Sequence, residues 1–306
     1  MLRRALLSAS RNATIERALK AQPVTRAVVD RFVAGEDTED AVRVTRGLVH
    51  DGLQVSLDLL GEDTTETSQA HAVTKAYLVL LGRLADEGLT SGAEVSVKLS
   101  AVGQALDHPL CLDNARQIVE AATRAGTTVT FDMEDHTTTD ATLATLAEVR
   151  QDFPETGAVI QSYLRRSAGD VEDLIRARAR VRLCKGAYKE PEAVAYQAKK
   201  DVDLAYVRLL VRLMAEGAYP MVATHDPRLI AIADTLARRH DRAPGSYEFQ
   251  MLFGIRPAEQ RRLVAAGDRV RIYVPFGTEW YGYLVRRLAE RPANVGFFLR
   301  ALASRS

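Results

Sequence analysis

The sequence predicts an α/β protein built as a (βα)8 barrel, in which eight parallel strands and their helices close into one cylinder. Short runs rich in β-branched residues alternate with helical patterns along the chain, and each connection is long enough to be a crossover. The length of 306 residues also suits a barrel, which is larger than most single domains. A doubly wound sheet has the same alternation and is the alternative fold.

Eight segments are predicted as strands because apolar and β-branched residues concentrate in them between turn signals. They are residues 53–60, 94–100, 127–133, 157–163, 180–186, 219–225, 247–252 and 268–275. Helical spacing of apolar residues, closed by glycine in several cases, predicts helices between the strands. These helices include residues 114–126, 140–153, 202–217, 229–240 and 257–267.

Residues 1–50 precede the first strand and are expected to be helical, either as an N-terminal arm or as a cover for the bottom of the barrel. Their first part contains arginine and serine but no acid before Glu16, which resembles an organellar transit peptide. An amphipathic helix explains the same residues and is the interpretation we favour. We therefore predict two parts, a helical arm at 1–50 and a barrel domain at 51–306.

Composition narrows the class of function. The formal net charge of +1 provides no global field for a polyanion, so we predict no nucleic-acid partner. No apolar run approaches the roughly 18 residues that a membrane-spanning helix needs. The two cysteines, Cys111 and Cys184, form no CxxC pair and fit a reducing compartment, so we expect a cytoplasmic protein.

Polar residues collect at the ends of nearly all the predicted strands. The carboxyl ends of barrel strands are where catalytic groups lie, and so many polar ends are hard to explain by solvation alone. The residues at these ends are Asp58, Glu62, Lys98, Asp132, Gln161, Arg182, Lys185, Thr224, His225, Gln250, Leu252 and Tyr273.

The last helical segment carries a polar stripe. Tyr283, Arg286, Arg287 and Glu290 are spaced at i, i+3, i+4 and i+7, so they share one helix face. A solvated surface with an Arg–Glu pair is the simple explanation of such a stripe. A helix that follows the eighth strand can instead present this face to the barrel rim.

Eight motifs together resemble one enzyme family. They are LLGED (59–63), VSVKLS (95–100), FDMED (131–135), VIQSYLRR (159–166), VRLCKGAY (181–188), VATHD (222–226), EFQMLFG (248–254) and RIYVPFGTEWYGYLVRRLAERPAN (271–294). In this order, over nearly the whole chain, they resemble the monofunctional proline dehydrogenases, which use FAD to oxidise L-proline to Δ1-pyrroline-5-carboxylate. The resemblance implies a distorted TIM barrel with its final helix over the barrel top, and makes 51–306 the catalytic domain.

The resemblance assigns a substrate-binding set. Arg286 and Arg287 would clamp the proline carboxylate, because a guanidinium matches a carboxylate with two hydrogen bonds. Glu62 would pair with one of these arginines, and Lys98 would lie beside the substrate carboxylate. The pyrrolidine ring would be enclosed by three further side chains, Leu252, Tyr273 and Tyr283.

The resemblance also implies a flavin site. Arg182 would lie beside flavin N5 and stabilise the reduced ring, and Asp132 would be an active-site acid that orients Lys98 or the Tyr273 hydroxyl. The chain has no GxGxxG fingerprint, so a Rossmann-type site is not supported. The remaining residues expected to bind FAD are Met133, Gln161, Lys185, Gly186, Ala187, Thr224, His225 and Glu290.

As a family member, the protein would catalyse the first step of proline catabolism by transferring hydride from proline C5 to flavin N5. Reduced FAD would pass its electrons to a membrane quinone, so we expect peripheral contact with the inner face of the membrane. A separate pyrroline-5-carboxylate dehydrogenase would consume the product. The base that takes the proton of the proline amine cannot be identified from the sequence.

Three other interpretations fit parts of the pattern. Lys98 or Lys185 could form an imine, as in barrel aldolases. Asp132, Glu134 and His136 could project alike from an extended chain and bind a metal, although no other His/carboxylate spacing supports this and we predict no metal. A barrel that only binds amino acids is the third alternative, and it would have lost part of the clamp or the flavin site.

Overall fold

The computed structural model describes residues 29–61 and 63–284, in which eight strands form one closed barrel. Every strand pairs in parallel with the next along the chain, and the eighth pairs with the first. The closed order excludes the doubly wound alternative. The strands are β1 (Gln54–Leu59), β2 (Ala93–Val97), β3 (Val129–Phe131), β4 (Gly157–Gln161), β5 (Arg180–Cys184), β6 (Tyr219–Ala223), β7 (Glu248–Leu252) and β8 (Val270–Phe276).

Helices connect the strands and surround the barrel. The described helices are α1 (Thr38–His50), α2 (Thr67–Asp86), α3 (His108–Arg124), α4 (Thr139–Val149), α5 (Ser167–Arg176), α6 (Lys199–Glu216), α7 (Pro227–Arg239) and α8 (Pro257–Ala265). All five helices predicted between strands are confirmed. The structure adds α2 and α5, which complete the alternation. After β8, residues 280–284 are helical, and residues 285–306 lie outside the described residues.

The boundaries of the elements differ from the predicted ones for local reasons. The predicted strand 94–100 ends early, because Leu99–Val102 form a 3₁₀ turn that stops at Gly103, whose φ is 106°. The helix predicted from residue 114 begins six residues earlier. Its N-cap is Asp107, whose side chain accepts a hydrogen bond from the Leu110 amide at 3.1 Å, and Pro109 lies in its first turn.

The interior of the barrel is ionic as well as apolar. Alternate residues of a strand face the same side, so Arg180 and Arg182 on β5 both point inward, as Glu94 does on β2. Glu94 accepts from Arg180 at 2.8 Å and from Arg182 at 3.2 Å. On β8 the guanidinium of Arg271 donates to Glu248 of β7 at 2.7 Å. Each of these buried charges therefore has a partner of opposite sign.

The arginines lower the pKa of Glu94. Burial alone would raise that pKa, but the guanidinium groups of Arg271, Arg180 and Arg182 outweigh burial and hold it well below its usual range. Glu94 therefore stays ionised, and its charge is part of what keeps three strands together.

Residues 29–36 pack against the top of the barrel. Val29, Phe32 and Val33 form an apolar cluster with side chains from the loops after β1 and β7 and from residues 280–284. The indole N–H of Trp280 donates to Glu36 at 3.0 Å. These contacts lie at the carboxyl ends of the strands, so of the two alternatives for residues 1–50 the cover for the barrel bottom does not describe residues 29–36. Residues 1–28 lie outside the described residues.

A glycine permits the close approach of this segment. A Cβ atom on Gly254 would lie 1.8 Å from the backbone carbonyl oxygen of Arg31. Gly254 also has a φ of 72°. Only glycine fits both the left-handed conformation and the contact. Within the described residues, no helix is long and apolar enough to cross a bilayer.

Because the interior of the barrel contains ion pairs, removing one charge should lower the free energy of unfolding substantially. Glu94→Gln should lower the free energy of unfolding by about 3–5 kcal/mol, because it leaves buried guanidinium groups without their counter-charge. Urea unfolding followed by far-UV circular dichroism measures this change. The matched control is Glu120→Gln, which breaks an exposed pair with Arg124 and should change the free energy by less than about 0.5 kcal/mol. Equal effects of the two substitutions would contradict the assignment.

Candidate active site

A cavity of about 680 Å³ opens at the carboxyl ends of the strands. Every predicted site residue that the structure describes lines it. These residues are Lys98, Asp132, Met133, Gln161, Arg182, Lys185, Gly186, Ala187, Thr224, His225, Leu252, Tyr273 and Tyr283. The other predicted residues, Glu62, Arg286, Arg287 and Glu290, lie outside the described residues, and their roles stay predictions.

Asp132 is the centre of the polar wall. It lies directly after β3, and its Oδ1 accepts from Ser96 Oγ and from Arg182 Nη1, both at 2.9 Å. Its Oδ2 accepts from the Tyr273 hydroxyl at 2.7 Å. Side chains from β2, β5 and β8 therefore converge on one carboxylate. Asp132 fixes the directions in which Arg182 and Tyr273 point.

Arg182 is buried beneath this carboxylate, with 4% of its surface exposed. Its Nη2 donates to Ser56 Oγ at 3.0 Å and to Glu94, and its guanidinium lies 5.3 Å from the centre of the Tyr273 ring. Burial would lower the pKa of Arg182, but the charges of Asp132 and Glu94 outweigh burial and raise it. Among the described residues, its buried Nε has no hydrogen-bond partner.

Lys98 is held by a second carboxylate, that of Asp58. Lys98 Nζ donates to Asp58 Oδ1 at 2.5 Å and lies 3.7 Å from Asp132 Oδ2. Burial would lower the pKa of Lys98, but the carboxylates of Asp58 and Asp132 outweigh burial and raise it. An amine that forms a Schiff base must be neutral, so the paired, charged Lys98 does not support the aldolase interpretation.

The polar side chains of the segment after β3 interact with different partners. Glu134 accepts from Ser100, with Oγ to Oε1 at 2.6 Å, whereas His136 pairs with Glu190. Asp132, Glu134 and His136 therefore do not converge, and they form no common metal site. The described residues contain no group of three or more His, Cys, Asp or Glu side chains able to hold a metal ion.

Gln161 connects two loops at the cavity wall. Its Nε2 donates to the Glu134 carbonyl at 2.7 Å, and its Oε1 accepts from the Ala187 amide at 3.4 Å. Gly186 has a φ of 116°, and a Cβ there would lie 2.3 Å from the Tyr163 ring. Glycine thus lets the loop after β5 lie close against the end of β4.

The outer end of the cavity is rich in charge. Lys185 Nζ donates to Asp203 at 2.6 Å and to Asp226 at 3.4 Å, which disfavours it as a free nucleophile. Arg228 forms ion pairs with the same two aspartates. The Nε2 atom of His225 accepts a hydrogen bond from the Leu252 amide at 2.9 Å. In a neutral ring the proton is therefore on Nδ1.

The structure adds residues that the sequence had not assigned to the site. Asp58 was noted at a strand end without a role, and Ser56, Ser96 and Glu94 were not noted. A signal for them was present, because 56 and 58 on β1, and 94 and 96 on β2, alternate with apolar residues within the strands.

Comparison with known proteins gives a consistent result. The family model described as proline dehydrogenase matches residues 41–300. The chain is 39% identical to proline dehydrogenase 1 of Bacillus subtilis over 302 residues, covering 99% of both chains. It is 40% identical to the proline dehydrogenase of Deinococcus radiodurans over 280 residues, covering 90% of both.

Longer proteins also contain a similar region. The crystal structure of proline utilization A from Bdellovibrio bacteriovorus superposes with a TM-score of 0.82 and 26% identity, covering 92% of this chain but 34% of that one. The bifunctional protein PutA of Escherichia coli is 29% identical, and the match covers 24% of its length. The chain therefore spans about a third of the first of these proteins and about a quarter of the second.

The pairing of Lys98 predicts slow chemical modification. At pH 8, acetic anhydride should acetylate Lys98 at least about tenfold more slowly than the exposed Lys75, because a charged, buried amine is not nucleophilic. Mass spectrometry of tryptic peptides at short reaction times measures both rates in one sample, so Lys75 is an internal control. Labelling of Lys98 as fast as Lys75 would instead favour the imine-forming interpretation.

Proposed function

The chain belongs to the proline dehydrogenase family and oxidises proline in proline catabolism, and from this premise we propose that it binds FAD and L-proline together in the cavity. The product would be Δ1-pyrroline-5-carboxylate. The observation that carries the proposal is the buried Arg182 at the cavity wall, whose Nε lacks a partner among the described residues. A buried N–H without an acceptor is costly, and a flavin ring nitrogen would supply one.

The cavity fits FAD in size and in chemistry. Its volume of about 680 Å³ is ample for a cofactor, and its lining changes from a buried polar wall to a charged outer end. Arg182, Gln161 and Met133 would hold the ring system, and Lys185, Gly186 and Ala187 would hold the ribityl and phosphate part. Thr224, His225 and Glu290 complete the proposed set. When bound, FAD would accept the hydride that leaves C5 of proline.

The residues of the chain orient the substrate and exclude water. Tyr273 and Tyr283 would enclose the pyrrolidine ring together with Leu252, and burial of Tyr283 in the apolar cluster closes this side against solvent. Asp132 holds Tyr273 and Arg182 in fixed positions. Lys98 would lie beside the substrate carboxylate, with its charge balanced by Asp58. A reactant held in a fixed orientation loses less entropy at the transition state.

The carboxylate of proline would be held by Arg286 and Arg287, with Glu62 paired to one of them. This part of the proposal rests on the spacing of the final helical segment. Residues 280–284 support it, because they already follow the rim and bring Tyr283 to the cavity.

We also propose a membrane quinone as the electron acceptor, reached by peripheral contact at the inner face of the membrane. A separate pyrroline-5-carboxylate dehydrogenase would use the product.

The purified protein should carry FAD that L-proline reduces. Anaerobic addition of L-proline should bleach the flavin absorbance, whereas D-proline should bleach it much more slowly because its carboxylate cannot meet the clamp in the same pose. Release of the cofactor by heat and its identification by chromatography complete the measurement. A colourless protein, or a spectrum that proline does not change, would refute the proposal.

The clamp predicts a change in KM. Arg286→Met or Arg287→Met should raise the KM for L-proline about 10- to 100-fold with a smaller change in kcat, because each removes charged hydrogen bonds to the carboxylate. Arg124→Met on the exposed face of α3 is the matched control. An unchanged KM in both clamp variants would remove the assignment.

A further inference from the structure

Oxidation of proline requires a proton acceptor in addition to a hydride acceptor. In solution the ring nitrogen is a secondary ammonium, and it must lose a proton before its lone pair can form the C=N bond. The C5–H bond then breaks and its electron pair leaves as hydride to the proposed FAD. The nitrogen proton therefore needs a base inside the closed cavity.

We propose that Asp58 is this base: its carboxylate takes the proton from the substrate amine and becomes a carboxylic acid. The inference rests on the proposed function, since it needs proline bound in the cavity. Asp58 lies one residue before the end of β1, on the same inward face as Ser56. Its side chain lines the cavity although only 1% of the residue is exposed. Because Asp58 has so little contact with solvent, a proton that it takes from the substrate does not exchange rapidly with water.

Asp132 is a weaker candidate because it holds more of the wall in place. It accepts hydrogen bonds from Ser96, Arg182 and Tyr273, which come from three different strands. Protonating it would break the arrangement that holds Arg182. Asp58 accepts a hydrogen bond from Lys98 at 2.5 Å and also faces the Tyr273 hydroxyl, and Lys98 lies 3.7 Å from Asp132. Lys98 therefore keeps a counter-charge when Asp58 becomes neutral.

Three other titratable groups near Asp58 and Asp132 are poor acceptors for the proton. Burial raises the pKa of Tyr273 well above its usual value, so its hydroxyl remains a donor. Lys98 is already protonated, because its two carboxylates raise its pKa. The Nε2 atom of His225 accepts a hydrogen bond from the Leu252 amide, so its lone pair is already used.

The surroundings of Asp58 favour proton uptake. Lys98 from the end of β2, Asp132 from the end of β3, Tyr273 from β8 and Tyr77 from α2 are the titratable groups that face it. Burial raises the pKa of Asp58, and the Lys98 charge opposes this without cancelling it. A buried carboxylate with a raised pKa is a stronger base than one in water.

The experiment compares two substrates that differ in the basicity of the amine. Fluorine withdraws electrons, so 4,4-difluoro-L-proline is largely deprotonated at pH 8, whereas L-proline is not. Stopped-flow measurement of flavin reduction with both substrates is made on the wild type, on Asp58→Asn and on Asp132→Asn. Circular dichroism and bound FAD are measured on each variant, so that a folding defect is recognised.

We expect Asp58→Asn to slow reduction by L-proline at least about 100-fold and to slow reduction by the difluoro substrate less than about fivefold. Asp132→Asn should impair both substrates to a similar extent, since it disturbs positioning. Equal impairment of both substrates by Asp58→Asn would overturn the inference, and so would equal activity of Asp58→Asn and wild type. Failure of the wild type to be reduced by L-proline would instead refute the proposed function.

Discussion

The ion pairs of Arg182 are the interaction on which the rest of the site depends. This guanidinium donates to Glu94 below it and to Asp132 above it, and so links the ionic interior of the barrel to the floor of the cavity. Taking a guanidinium out of water is costly unless its charge and its N–H groups are matched. The carboxylates on β2 and after β3, with the hydroxyls of Ser56 and Ser96, supply that match. Catalytic geometry and barrel stability therefore share the same side chains.

The strands and their order could be predicted because they depend on local pattern. Apolar runs separated by crossover-length helices leave few topologies, chiefly the closed parallel barrel and the doubly wound sheet. Six of the eight predicted strands end too late because the inward alternation continues past the last strand residue. Lys98 lies one residue after β2, and Asp132 one residue after β3. The residues most relevant to chemistry therefore lie at the start of the loops. There the alternation of the preceding strand still predicts which side chains point into the barrel.

Other features could not be predicted because they depend on contacts distant in sequence. Nothing local indicates that Glu94 would meet Arg180 and Arg182, which are more than 80 residues away. The packing of residues 29–36 on the barrel top likewise depends on Gly254 and Trp280. A single sequence contains the residue types for these contacts but not their pairing.

The balance of charge in the cavity bears on how a zwitterionic substrate could bind. Lys98 and Arg182 are already paired with Asp58 and Asp132, so neither of these two cations offers an unbalanced charge to a carboxylate. A substrate carboxylate brought into this cavity needs further cations. The wall can supply them only from segments above the strand ends, and the paired arginines of the last helical segment follow directly from the rim at Tyr283.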